Sequence, residues 1–137
     1  MYLERAKLIY IPSHEDTRGM LSAVEQNKDI PFDIKRIFYI YRIKGNRGKH
    51  ALKDTDELLI PIAGSFTVRL NDRDHTKDFY LNDPSQGLLV PRLIFLELFG
   101  FSEDAVCLVL ASEPHNLDQY LHTHEEYISY LDKYNHE

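Results

Sequence analysis

The segment Asn46–Lys53, NRGKHALK, lies between two runs of residues with strong β-strand character. The run before it, Ile34–Ile43 (IKRIFYIYRI), is rich in Ile, Phe and Tyr and is followed by a turn that contains glycine. The run after it, Glu57–Ile62 (ELLIPI), is also apolar, although Pro61 removes one ladder hydrogen bond and indicates a sheet edge or a bulge. The central segment therefore predicts a turn that leads into a strand carrying one histidine, His50.

Short apolar runs separated by turn residues continue on both sides of this segment. The polar segment His14–Gly19 (HEDTRG) is expected to be a turn between two of them. About nine to eleven strands at intervals of roughly 8–12 residues are typical of an antiparallel sandwich or barrel. The further expected strands are Lys7–Ile11, Met20–Glu25, Phe66–Leu70, Asp78–Leu81, Gly87–Val90, Leu93–Phe99 and Ala105–Ala111.

The C-terminal segment has helical periodicity instead. Leu117, Leu121, His124 and Ile128 recur at helical spacing, and Asn116 is a good N-cap residue in front of them. We expect a helix from about Leu117 to Lys133 with one face packed against the sheet. The sequence contains no internal repeat, linker or low-complexity segment, so it predicts one all-β domain over residues 1–137 with a C-terminal α-helix.

Composition and charge limit the partners and the compartment. The net charge of −6 leaves no basic stripe for a nucleic acid polymer, although one or two arginines are enough to hold a single nucleotide. Charges at Glu4, Arg5 and Lys7 do not fit a signal-peptide core, and no apolar run approaches the roughly 18 residues of a membrane span. Cys107, as the one cysteine, cannot form an internal disulfide. We therefore expect a cytoplasmic protein without a membrane partner.

The histidines lack the spacing of a metal-binding barrel, which needs two that alternate on one strand. The residue two positions after His50 is Leu52, and His75 lies in an expected turn. His122 and His124 are two apart on the expected helix and so point in different directions. There is also no glycine-rich phosphate loop. The sequence predicts no metal and no cofactor.

The remaining candidates are residue types suited to proton transfer on an anionic substrate. Histidine and tyrosine can move a proton, and arginine can hold an anionic group. Each candidate also has a purely structural explanation, because strand histidines and tyrosines often pack in a core and Glu97 could face outward. Residue types alone leave both interpretations open. The candidates are His50, Tyr39, Arg36, Arg47, Glu97 and Ser65, the last in an expected turn.

The order of motifs adds information about the family. The series TRGML, DIPFDIKRIFYIY, NRGKHALK, IAGSFTVRLND, QGLLVP, FSEDAVCLVLAS and LDQYLHTHEEY resembles the nucleotide-sugar 3,4-ketoisomerases of the WxcM-like cupin group, from about Arg18 to Tyr127. The resemblance implies a double-stranded β-helix (cupin or jelly roll), independent of metal. It also implies a homodimer in which N-terminal strands cross to the partner.

The implied reaction moves a keto group between C4 and C3 of a dTDP-4-keto-6-deoxyhexose. A proton is abstracted and returned to the adjacent carbon through an enediol(ate), so a base must lie close to both carbons. The implied product is used in the biosynthesis of deoxy and amino sugars for bacterial surface polysaccharide.

The resemblance also implies roles for individual residues. His50 and Arg47 match the first histidine and the arginine of a family pattern like R-G-x-H-A-H-K, and Arg36 and Tyr39 match a K-R-x-x-Y pattern. His50 is thus the implied acid/base, and Tyr39 is a second proton donor or an orienting group. The predicted substrate-binding residues are Arg36, Arg47, Ser65 and Glu97.

Two positions depart from the family pattern. Leu52 stands where the second histidine is expected, and Leu96 replaces another histidine in the segment that reads FLEL here. Leucine can neither accept nor donate a proton. Three hypotheses follow: an isomerase in which His50 and Tyr39 suffice, a non-catalytic nucleotide-sugar or carbohydrate binding homologue, or a structural subunit that pairs with an active relative.

Overall fold

The computed structural model describes residues 3–135, so Met1, Tyr2, His136 and Glu137, which belong to the predicted domain 1–137, lie outside the described residues. Within this range no helix is long and apolar enough to cross a membrane. The elements in chain order are β1 (Lys7–Tyr10), β2 (Ser13–Asp16), β3 (Gly19–Ser22), β4 (Arg36–Ile40), β5 (Arg47–Leu52), β6 (Glu57–Ala63), β7 (Phe66–Asn71), β8 (Thr76–Leu81), β9 (Gln86–Val90), β10 (Phe95–Phe99), β11 (Val106–Ala111), β12 (Tyr120–Leu121) and α1 (His124–Asn135).

Two five-stranded antiparallel sheets pack face to face. The first sheet has the order β1-β9-β6-β11-β4, and the second has the order β12-β5-β10-β7-β8. Their inner faces share one core, in which Leu59 and Val109 of the first sheet join Phe66, Val68 and Leu98 of the second. The period-2 alternation seen in the sequence produces these apolar inner faces. The predicted all-β fold with a C-terminal helix is confirmed.

The outer faces of both sheets are also covered in part. Residues before β4, among them Ile30 and Phe32, pack with Leu58 and Ile60 on the outer face of the first sheet. Helix α1 lies behind the second sheet, where Tyr127 and Leu131 pack with Ala51 of β5 and with Leu93. Most of β6 and the C-terminal end of β5 are therefore packed on both faces.

The expected turn at His14–Gly19 was wrong. The segment forms the hairpin β2–β3, in which Ser13 pairs with Ser22 and Asp16 pairs with Gly19. All residues of both strands are exposed. The residues of β2 are all polar and show no alternation, whereas β3 overlaps the strand expected at Met20–Glu25.

The start of the C-terminal helix was also wrong. Residues 117–119 form a 3₁₀ turn, and Tyr120–Leu121 forms the short strand β12, which pairs with Leu52 and Ala51 of β5. Helix α1 begins after Thr123, whose hydroxyl accepts a hydrogen bond of 3.0 Å from the backbone N–H of Glu126. Pairing with β5 takes priority over helical periodicity here because the edge of β5 would otherwise be left open.

One buried hydrogen bond joins helix α1 to the second sheet. The hydroxyl of Tyr127, a fully buried side chain, donates to the carbonyl of Leu93 at 2.8 Å. The Leu93 backbone has a φ of 64°, and its N–H donates to the carbonyl of Leu52 at 2.9 Å. Leu93 is thus held in an unfavourable conformation from both sides, by β5 and by the helix.

We expect Tyr127→Phe to lower the free energy of unfolding by about 1–2 kcal/mol, because the buried carbonyl of Leu93 loses its donor. Urea unfolding followed by circular dichroism measures this change. Tyr134→Phe is the matched control, since Tyr134 lies on the same helix with an exposed ring. Equal midpoints for the two variants would contradict the assigned role of the Tyr127 hydroxyl.

Candidate active site

A cavity of about 620 Å³ lies between the two sheets beside β4 and β5. Part of its wall is apolar and is formed by inward-facing residues such as Leu59, Leu96 and Val109. Its polar side chains come from four separate strands and from the loop before β5. They are Arg36, Asn46, Arg47, His50, Glu57 and Tyr120.

His50 is the half-buried histidine of this cavity. Its ring packs edge-on against that of Tyr120, with centroids 5.1 Å apart and an interplanar angle of 69°. Burial lowers the pKa of His50 below its ordinary value, a hydrogen bond with the backbone of Gly48 partly opposes this, and His122 lowers it further. The imidazole is therefore neutral at pH 7, which is the form that can accept a proton.

The backbone around Gly48 brings His50 to this position. Gly48 has a φ of +85°, and a Cβ added there would lie 3.1 Å from the carbonyl oxygen of Leu96 and 3.1 Å from Leu98 Cδ1. The pairing between β5 and β10 is irregular between Leu96 and Glu97, and Leu96 lies opposite His50. A glycine and a β-bulge thus let β5 approach β10 closely while it turns His50 into the cavity.

Glu57, which the sequence analysis missed, lies on the opposite wall of the cavity. It is the first residue of β6, only 6% exposed, and it shares the inner face with Leu59. Burial raises the pKa of Glu57 to about 7, and the nearby positive charge of Arg36 opposes this. The signal that could have found it is alternation, since a residue two positions before an inward-facing leucine must itself face inward.

Arg36 and Arg47 supply two positive charges to the cavity. Arg36 and Glu57 both pair with Ala111, from opposite sides, so the three residues form one row across β4, β11 and β6. The guanidinium carbon of Arg36 lies 4.4 Å from the centroid of the Phe38 ring. Arg47, at the start of β5, is exposed. Two arginines near one another can hold the negative groups of a phosphorylated ligand.

Tyr39 borders the cavity at its rim. Alternation along β4 turns Arg36 and Phe38 inward, and the side chain of Tyr39 is 61% exposed on the other face. Its ring lies 5.6 Å from that of Tyr41, which also borders the cavity. Burial alternates along β4, with Arg36, Phe38 and Ile40 half-buried and Ile37 and Tyr39 exposed. Tyr39 thus contributes to the opening and not to the buried part of the site.

Ser65 and Glu97, both predicted to bind substrate, do not line this cavity. The backbone N–H of Ser65 donates to Ser102 Oγ at 2.9 Å in the turn after β6. Leu96 and Leu98 face the cavity, and Glu97 between them therefore points to the outer side of the sheet, where its charge acts on Arg69. The structure thus does not bring Ser65 and Glu97 together with the other candidates, because position within a motif does not give the direction of a side chain.

Tyr120 was expected on a helix and instead reaches the cavity from β12. Its ring stacks on that of His122 at 5.6 Å and lies 5.7 Å from that of His115. In the part of the chain that the structure describes, no group of three or more His, Cys, Asp or Glu side chains is arranged to hold a metal ion.

Comparison with known proteins gives the family. Residues 4–132 match the family model described as "FdtA: WxcM-like, C-terminal". The chain belongs to the WxcM-like family. It is 38% identical over 131 residues to TDP-4-oxo-6-deoxy-alpha-D-glucose-3,4-oxoisomerase of Aneurinibacillus thermoaerophilus, covering 94% of each chain.

Solved structures of other family members have the same fold. The sugar 3,4-ketoisomerase QdtA of Thermoanaerobacterium thermosaccharolyticum, in complex with TDP, superimposes with a TM-score of 0.91 at 39% identity, over 96% of this chain and 97% of that one. A histidine-to-asparagine mutant of QdtA, in complex with TDP-4-keto-6-deoxyglucose, matches with a TM-score of 0.89 at 38% identity, over 93% and 94% of the two chains. The double-stranded β-helix expected from the family resemblance is confirmed.

Leu52 and Leu96, where the family resemblance leads one to expect imidazoles, are both buried beside His50. Leu52 is 6% exposed and lies two residues after His50 on the same face of β5, and Leu96 is 4% exposed on the neighbouring strand. These two leucines thus make the surroundings of His50 apolar.

The raised pKa of Glu57 predicts a pH-dependent effect of Glu57→Gln on stability. Between its unfolded value of 4.5 and about 7 the folded state keeps a proton that the unfolded state releases, so stability falls as pH rises through this window. The variant lacks this penalty. We expect it to be more stable than the parent protein at pH 8, by up to roughly 3 kcal/mol, with little difference near pH 4.5.

Urea unfolding at pH 5 and pH 8 measures this difference. Glu97→Gln is the control, because it removes a glutamate charge from the outer face of the sheet, outside the cavity. A Glu57→Gln effect of the same size at both pH values would contradict the buried, proton-holding state of Glu57.

Proposed function

We propose that this chain is a nucleotide-sugar isomerase that moves the keto group between C4 and C3 of a dTDP-4-keto-6-deoxyhexose. The observation that carries the proposal is a cavity in which a neutral, half-buried His50 lies with Arg36 and Arg47. The names of the relatives support it, since one is a 3,4-oxoisomerase of a TDP-linked 4-oxo sugar and another binds TDP.

In this proposal His50 is the acid/base at the sugar carbons. The neutral imidazole takes the proton from C3, an enediol(ate) forms across C3 and C4, and the imidazolium returns the proton to C4. Arg36 and Arg47 hold negative charge on the diphosphate or on the developing enediolate. Tyr39, at the rim, orients the bound nucleotide sugar. No step uses a metal or a cofactor.

A non-catalytic binding protein is the alternative that Leu52 and Leu96 favour. Such a protein would bind a TDP-sugar without moving its keto group. The retained His50 and its neutral state speak for the isomerase, because a binding site alone has no need of a desolvated base.

We also propose that the protein works in the cytoplasm, in the biosynthesis of deoxysugars for surface polysaccharides such as lipopolysaccharide. A reducing compartment fits the single cysteine, Cys107, which is buried and unpaired.

A homodimer with exchanged N-terminal strands completes the proposal. The hairpin β2–β3 forms its own two-stranded sheet, and its Met20 and Leu21 are exposed. Strand β4 is a free edge of the first sheet and carries the exposed side chains of Ile37 and Tyr39. A free apolar edge next to the cavity can pair with a strand of another chain. In this arrangement the partner's hairpin provides apolar contacts and backbone hydrogen-bonding groups for that edge.

The isomerase proposal predicts that His50→Asn abolishes activity. We expect the purified protein to convert TDP-4-keto-6-deoxyglucose to a 3-keto sugar and to exchange the C3 proton with deuterated solvent, as followed by NMR. The variant should lose at least about 100-fold in both rates, because it lacks the base.

His75→Asn, in the turn between β7 and β8, is the control and should keep full activity. TDP binding measured by calorimetry should survive in both variants. Binding without ketone migration in the unmodified protein would favour the non-catalytic alternative, and full exchange in His50→Asn would remove His50 from its assigned role.

The dimer proposal predicts that Leu21→Asp yields monomers. Charge on the hairpin opposes burial against the partner, whereas Leu117→Asp, at an exposed leucine of the 3₁₀ turn, should leave the dimer intact. Light scattering after size exclusion gives the masses. A monomeric unmodified protein, or a dimeric Leu21→Asp variant, would contradict this arrangement.

A further inference from the structure

The cavity contains a second titratable group that the proposed reaction has not used. Glu57 reaches it from the first sheet, whereas His50 reaches it from the second, so the two face the cavity from opposite walls. Within residues 3–135 the carboxyl group of Glu57 makes no hydrogen bond and no ion pair within 4.0 Å, and its oxygens are not among those sealed from solvent. It is buried, unpartnered and accessible only through the cavity.

A carboxyl group in this state is costly to keep. The usual partners of a buried acid are hydrogen-bond donors or directly paired cations, and Glu57 has neither, because Arg36 acts on it only at a distance beyond an ion pair. Arg36 on β4 and Cys107 on β11 interact with it electrostatically. The other ionisable side chains that line the cavity are His50, Arg47, Tyr39, Tyr41 and Tyr120. Burial raises the pKa of the Cys107 thiol to about 12, so Cys107 is neutral and offers no charge. An unpaired acid that opens only into a ligand-sized cavity is placed to meet a ligand.

We propose that Glu57 is the second proton-transfer group of this site and acts on the sugar oxygens while His50 acts on the sugar carbons. This inference rests on the proposed isomerase function and deepens it, because it assigns the donor that the keto oxygen requires.

The protons balance over the two steps of this reaction. The neutral imidazole of His50 removes the C3 proton as the neutral carboxylic acid of Glu57 protonates O4, which gives the enediol, an imidazolium and a carboxylate. The carboxylate of Glu57 then removes the proton of the O3 hydroxyl as the imidazolium protonates C4. The products are the 3-ketone with a 4-hydroxyl, and both side chains return to their starting states.

The electrostatics of the cavity suit these states. Below about pH 7 Glu57 carries its proton and can donate it, and His50, with its pKa lowered by burial, is free to accept one at the same pH. A carboxylic acid kept neutral by an apolar site is an established way to stabilise a developing enolate oxygen. Arg36, in the row with Glu57, favours the carboxylate that forms once the proton has been given up.

Glu57→Gln and Glu57→Asp test the assignment, with Glu97→Gln as the control. Three quantities are measured: kcat against pH with TDP-4-keto-6-deoxyglucose as the substrate, the dissociation constant for TDP, and the rate of C3 exchange with deuterated solvent. We expect Glu57→Gln to lower kcat by about 100-fold or more and to remove the decline of kcat above pH 7, with TDP binding within about threefold of the parent. Glu57→Asp should have a lower kcat that still declines above pH 7. Glu97→Gln should match the parent in kcat and in its pH dependence.

The outcomes separate this inference from the function beneath it. If the parent protein binds TDP but does not convert TDP-4-keto-6-deoxyglucose, the proposed function fails, and the role of Glu57 fails with it. If the parent is active and Glu57→Gln keeps both its kcat and its decline above pH 7, the role of Glu57 is overturned while the isomerase stands. If Glu57→Gln does not fold, the parent protein and Glu57→Asp provide the test. The absence of any decline of kcat above pH 7 in these two proteins would overturn the proton-transfer role of Glu57.

Discussion

The chemistry of the cavity depends on one constraint, the burial of Glu57 between two apolar sheets. A sandwich holds together because its inner faces exclude water, and Leu59, Val109 and Phe66 satisfy that requirement here. Each such buried side chain contributes about 1.5–3 kcal/mol, so the core can tolerate one group whose ionisation costs a few kcal/mol. Only the end of the core accommodates such a buried acid. Glu57 sits at the first residue of β6, at the end of the packed core, where a cavity replaces close packing.

The position of His50 depends on features of β5 that lie on its other face. Helix α1 packs on Ala51, and β12 pairs with the last two residues of the strand, so the strand cannot shift away from β10. Close approach at Gly48 and the irregular pairing at Leu96 then set the direction of the imidazole. A proton-transfer group must be held within a fraction of an ångström, and packing on both faces of its strand provides that rigidity.

Burial decides which parts of this molecule could be predicted from its sequence. The strands of the core follow from their short apolar runs, and the segment NRGKHALK predicted the turn and the strand that carry His50. The strand β2 is polar and exposed throughout and carries no such pattern, and β12 owes its conformation to pairing with β5. Such elements depend on tertiary contacts that a single sequence does not display.

The two strand glutamates show why the site was harder to predict than the fold. Glu97 lies between two inward-facing leucines and therefore faces outward. Glu57 lies two residues before an inward-facing leucine and therefore faces inward. A shift of one residue along a strand thus separates a surface charge from a buried acid. Burial acts on His50 and Glu57 in opposite directions, because it favours the uncharged form of each group. It lowers the pKa of His50 and raises that of Glu57. A neutral base and a neutral acid can therefore coexist near pH 7, which is the pair that the proposed enolisation requires.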